Sequence, residues 1–112
     1  MSRPDKDAAI VEQRLRLGFG FHEADRQRVL TALEGLNRHL EPWSTEQVDI
    51  HLAVQARDRR EQTVTLEIWL PRLSPLVVHF SDANLGRALV EARKMMIREI
   101  EDKHSLSESW CH

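Results

Sequence analysis

The chain has 112 residues, is 41% hydrophobic and 30% charged, and sets 16 Lys and Arg against 18 Asp and Glu for a formal net charge of −2. That length supports one domain with one real core, and the near balance of charge leaves a nucleic-acid partner to be met by a local patch. A single cysteine, Cys111, excludes an internal disulfide and a cysteine-built metal framework, and no window approaches the roughly 20 apolar residues of a membrane span.

Residues 1–10, with Pro4 and charges at Arg3, Asp5, Lys6 and Asp7, read as a flexible lead-in without the apolar core of a signal peptide. A cytoplasmic protein is the expectation. From Val11 the pattern alternates: Val11, Gln13, Leu15, Leu17 and Phe19 fall on one face and Glu12, Arg14 and Arg16 on the other, which predicts a first strand with one buried face. Gly18 and Gly20 let the chain turn. Over His22 to Glu41 the period becomes helical, with Val29, Leu33, Leu36 and Leu40 in one stripe, Glu23 and Asp25 at the positive end of the helix dipole, and Pro42 as the stop. Trp43 beside it reads as a staple at the helix end.

Period two returns at Val48, with Val48, Ile50, Leu52, Val54 and Ala56 on one face. The polar run Arg57 to Glu61 predicts a hairpin turn, and Val64, Leu66, Ile68 and Leu70 continue the apolar face on the next strand. Pro71 and Pro75 bracket a connection to a last strand over Leu76 to Phe80. Ser81 and Asp82 suit the N-cap of a second helix, whose stripe is Leu85, Leu89, Ala92, Met96 and Ile100. Residues 105–112 read as a flexible tail, which leaves 11–104 as a single domain.

This order predicts an α+β domain of type βαβββα, a four-stranded mixed sheet with two helices packed on one face. A crossover through a helix allows the first two strands to run parallel, and the short later connections predict an antiparallel meander. The other face is then open and polar, carrying Arg14, Arg16, Asp49, His51, Gln55, Thr65, Glu67, Trp69 and His79.

The element order, the two helix stripes, the basic hairpin turn and the run Ser81-Asp82-Ala83-Asn84-Leu85-Gly86-Arg87-Ala88-Leu89 resemble the ribosome hibernation promoting factor family, which includes the ribosome-associated inhibitor and is also called the sigma-54 modulation family. The resemblance covers residues 11–104 and is to the short form. It implies a stress-response translation regulator that binds ribosomal RNA of the small ribosomal subunit and occludes the messenger and transfer RNA channel. With the core stripes in register, Arg98 falls on a basic position of the family's last helix and Lys94 lies one turn earlier.

Residue by residue, Arg57, Arg59 and Arg60 form a compact basic tip, and the planar guanidinium suits phosphates and stacked bases. Arg87, Arg93, Lys94 and Arg98 offer a phosphate-binding helix face, and equally read as a solvated face in which Arg87 pairs with Glu91 and Arg98 with Asp102. Arg14 and Arg16 extend the patch or blunt a sheet edge. Trp69, on the polar face, is placed to stack on a base or to meet a partner. The six histidines show no metal-ligand spacing, no cofactor is implied, and no nucleophile elbow, phosphate loop or carboxylate pair supports an enzyme. An alternative of another class is a protein-interaction or dimerisation module on the same fold, a homodimer being formed where a second copy adds to a sheet edge.

Overall fold

Alternating apolar side chains build the three longer strands. In the computed structural model, which describes the backbone of residues 10–110 and the side chains of 10–103, these are β2 (Asp49–Gln55), β3 (Gln62–Trp69) and β4 (Leu76–Asp82). Ile50, Leu52, Val54, Val64, Leu66, Ile68, Leu76 and Val78 are buried, as the period of two demands. The short β1 (Leu15–Leu17) pairs parallel with β2, and β2, β3 and β4 form an antiparallel meander, giving the linear order β1-β2-β3-β4.

Helices cover one face. The first helical segment comprises a 3-10 turn at Glu23–Asp25, α2 (Arg26–Leu33), a second 3-10 turn at Glu34–Leu36 and α3 (Asn37–Leu40). The last helix, α4 (Leu85–Trp110), returns over β3 and β4 and packs beside α2. Val29, Leu33, Leu36 and Leu40 meet Leu85, Leu89, Ala92, Met96 and Ile100 over the apolar side of the sheet in one core. The fold is α+β, in the expected order βαβββα, with one helical turn added in front.

That added turn corrects the first strand. Residues 10–14 form α1 (Ile10–Arg14), and Ile10 and Val11 are both buried while Gln13 is exposed, so alternation does not begin until Leu15. Tertiary hydrogen bonds hold the turn: Val11 N–H donates to Asn37 Oδ1 at 2.9 Å, and Arg26 Nη2 donates to the Glu12 carbonyl at 2.8 Å. Phe19, expected inward, is 74% exposed. Of the lead-in expected at 1–10, residues 1–9 lie outside the described residues and Ile10 is buried in α1; of the flexible tail expected at 105–112, residues 105–110 continue α4, and Cys111 and His112 lie outside the described residues.

The first helix is also broken where an unbroken stripe is expected. Arg93 donates from Nη1 to the Ala32 carbonyl at 3.2 Å, satisfying one of the orphan acceptors at the end of α2, and its stem lies against Gly35. The cap of the last helix moves too. β4 runs on through Asp82, whose Oδ1 accepts from Asn84 N–H at 2.8 Å, and Asn84 Oδ1 accepts from Arg87 N–H at 3.0 Å. Asn84 is therefore the N-cap in place of Ser81 or Asp82.

Candidate nucleic-acid interface

Strand direction decides which cations meet. The β2–β3 turn and the β4–α4 junction lie at the same end of the sheet, because Gln62 opens β3 directly across from Asp82 at the close of β4. Gln62 is buried and ties the two together: its Nε2 donates to the Ala83 carbonyl at 2.7 Å, and its Oε1 accepts from Asp58 N–H at 3.2 Å. The turn after β1 reaches the same end, where Val54 N–H donates to the Phe19 carbonyl at 2.9 Å. Gly20 sits there at φ +86°, and a Cβ on it would fall 2.2 Å from the Val54 carbonyl oxygen.

Of the three tip arginines, Arg57 turns inward. Its Nη1 and Nη2 donate to Asp25 Oδ2 and Oδ1 at 2.7 and 3.0 Å, and Nη1 also donates to the Gly20 carbonyl at 2.9 Å. The guanidinium carbon lies 5.7 Å from the Phe21 ring centroid. The pair is largely buried, with side chains 22% and 14% exposed. The hydrogen bonds from Arg57, and next that from His22 N–H, hold the Asp25 carboxyl far below the usual carboxylate range, while the bond to Asp25 raises Arg57. Arg57 thus locks the tip to the start of the first helix.

Arg59 and Arg60 remain exposed, without side-chain partners among the described residues. Arg87 stands near them at the start of α4, 3.6 Å from Asp82 and 70% exposed. Arg28 joins this end from α2: a Cβ on Gly86 would lie 3.6 Å from its Nη2. Neither Arg28 nor the exposed Phe19 is singled out by sequence reasoning. Arg28 is one of several polar residues on an amphipathic helix, and Phe19 continues an apolar alternation that the fold abandons.

Along α4, Arg87, Lys94 and Arg98 are spaced by seven and four residues, which at 100° per residue sets all three within about 20° of one line. Lys94 pairs with Glu91 at 3.5 Å, and Arg98 is exposed without an ion pair among the described residues. The pairs that form are Arg87–Asp82 and Lys94–Glu91, not the i,i+4 pairs expected of a solvated face. Arg93 is outside this line, directed at Ala32.

The open sheet face is separate from these cations. Arg14 donates to the Val48 carbonyl at 2.7 Å and to Asp49 at 3.0 Å, and Arg16 lies in a row with His51, Glu67 and Val77. Trp69 is half-buried, edge-on to His51 with centroids 4.8 Å apart, at the end of the sheet opposite the tip. Among the described residues no three His, Cys, Asp or Glu side chains converge where a metal ion could sit, and no helix is long and apolar enough to cross a membrane.

A meander of three antiparallel strands, a parallel first strand and two helices on one face define the chain as a βαβββα sheet-and-helix protein. Solved structures of other proteins share this fold. The Protein Y N-terminal domain of Thermus thermophilus superposes with a TM-score of 0.62 at 16% identity, covering 80% of this chain and 97% of that one. A ribosomal subunit interface protein from Coxiella burnetii superposes with a TM-score of 0.59 at 9% identity, covering 82% and 98%. No protein-family model and no curated protein matches the sequence.

Proposed function

We infer that the protein is a ribosome-associated translation inhibitor of the hibernation type, which binds ribosomal RNA of the small subunit and occludes the channel for messenger and transfer RNA. The observation that carries this reading is the fold shared, over 82% of this chain and 98% of that one, with a protein described as a ribosomal subunit interface protein. Charge placement supports it. Arg59, Arg60, Arg28 and Arg87 gather at one end, and Lys94 and Arg98 continue from Arg87 along α4, so the cations run from the tip onto the helix without crossing to the open sheet face.

In this reading Arg59, Arg60, Arg87, Lys94 and Arg98 meet phosphates, which supply sequence-independent affinity through counterion release. Phe19, exposed beside the tip, offers a ring for stacking on an unpaired base. Arg57 serves the interface by fixing the tip from behind, and Arg93 by fixing α4 against α2. Arg14, at the end of α1, and Arg16, on β1, are lesser contacts, and Trp69 stands apart at the other end. No cofactor takes part, and the domain over 11–104 acts by shape and charge.

The test is co-sedimentation with purified small subunits and whole ribosomes at low and moderate salt. Stoichiometric binding that fades with salt, and is lost on Arg59→Glu with Arg60→Glu or Lys94→Glu with Arg98→Glu, supports the reading. A folded wild-type protein that fails to bind at low salt overturns it.

A further inference from the structure

β4 is the free edge of the sheet, and it is not protected as edges usually are. It runs seven residues in unbroken register with β3, carries its one acidic residue at its end in Asp82, and follows Pro75 without containing a proline. Among the described residues no strand hydrogen-bonds its outer side. The opposite edge, β1, is only three residues long. Monomeric sheets blunt long edges with bulges, inward charges, Lys or Pro, because an unpaired strand recruits another. Val77, 41% exposed, adds an apolar side chain to this edge.

The flank of α4 beside this edge carries a charge pattern that complements its own reverse. Arg93 points to Ala32 on the α2 side; at 100° per residue Arg87 lies about 120° round the helix from it and Glu91, Met95, Arg98 and Asp102 about 140–180°, on the flank away from α2. In order they read positive, negative, apolar, positive, negative. An antiparallel copy of the same stripe sets Arg87 against Asp102 and Glu91 against Arg98, twice each, with the two Met95 side chains near the centre. A parallel copy would set each charge against its like.

We propose that two copies of this chain associate through a two-fold axis normal to the sheet, β4 pairing antiparallel with β4 of the second copy and α4 packing antiparallel with its α4. The spacings agree. α4 lies over β3 and β4, so the two helix axes would be about two strand spacings, or roughly 9.6 Å, apart, within the 8–10 Å of packed helices. The centre of the charge stripe, between Lys94 and Met95, is about 14 Å along the helix from Leu85, and the middle of β4, at His79, is about 10 Å from Asp82. A single two-fold axis can therefore serve both pairings. The ladder would supply main-chain hydrogen bonds and the ion pairs would fix the orientation.

Sedimentation equilibrium on the whole chain tests this, with circular dichroism to confirm that each variant is folded. The wild type is expected to weigh twice the chain mass at micromolar concentrations. Arg98→Glu alone and Glu91→Arg alone each place like charges across the axis twice and should weaken association by roughly tenfold or more. An equimolar mixture of these two variants restores Glu–Arg contacts on both sides and should form a heterodimer, as the double variant in one chain should restore the homodimer. A wild type that stays monomeric to about 100 μM, single variants that dimerise as well as wild type, or a mixture that fails to associate would each overturn the proposal.

Discussion

The Arg57–Asp25 pair shows how a residue in a basic run can serve the fold first. Two hydrogen bonds between ionised groups, a third to the Gly20 carbonyl and the contact with Phe21 leave the guanidinium little freedom to meet a ligand. Arg57→Ala strands a largely buried carboxylate, and a loss of about 2 kcal/mol in urea-unfolding stability is expected. The same pair sets an acid response. The folded chain holds the Asp25 carboxyl below its ordinary value of 3.8, so on acidification the unfolded chain takes up that proton first. The stabilisation is whole above that value and drains away as pH falls toward the depressed one. Unfolding titrations below pH 4 should show wild type losing stability more steeply than Asp25→Asn; equal slopes would remove Asp25 from the acid response.

At the scale of elements, two residues hold the tip in place. Gly20 occupies a left-handed conformation with no room for a side chain, so Gly20→Ala must shift the turn after β1 away from Val54, at an expected cost of about 2 kcal/mol or more. Gln62→Ala leaves the Asp58 N–H and the Ala83 carbonyl without their buried partner, at about 1–3 kcal/mol, and should loosen both the hairpin tip and the start of α4. Hydrogen exchange at residues 56–61 and 83–87 would report that loosening directly, and unchanged protection there would show that Gln62 does not couple the two segments.

The same scale shows what the sequence makes legible. Strands β2 and β3 each present four or more alternating apolar positions and β4 three, Leu76, Val78 and Phe80, enough for period two to fix both the element and its buried face. The first strand is misread because Val11 and Leu15 stand four apart, a spacing that fits two strand repeats and one helical turn alike. Bonds from Asn37 and Arg26, distant in sequence, decide for the helix. The break at Gly35 likewise depends on Arg93, about sixty residues away. Within the candidate interface, sequence marks the cations but not their partners. Arg57 looks like Arg59 and Arg60 until Asp25 is brought beside it, and Arg28 gains its place only when α2 meets the start of α4.

For the whole molecule, the two inferred uses of α4 draw on the same side chains. Arg87 and Arg98 face phosphate in one and the second copy's Asp102 and Glu91 in the other, so one helix flank cannot serve both at once. Adding small subunits to the dimer at low salt should therefore lower the dimer fraction in proportion to the protein bound. A ternary species that keeps the dimer while occupying the subunit would separate the two surfaces.

Co-sedimentation with the small ribosomal subunit is the most direct measurement of what this fold does here. Stoichiometric, salt-sensitive binding that Arg59→Glu with Arg60→Glu abolishes, while folded Arg57→Ala retains it, is the expected result. Binding unaffected by reversing the tip charges, or no binding by a folded chain at low salt, would contradict a phosphate-directed interface.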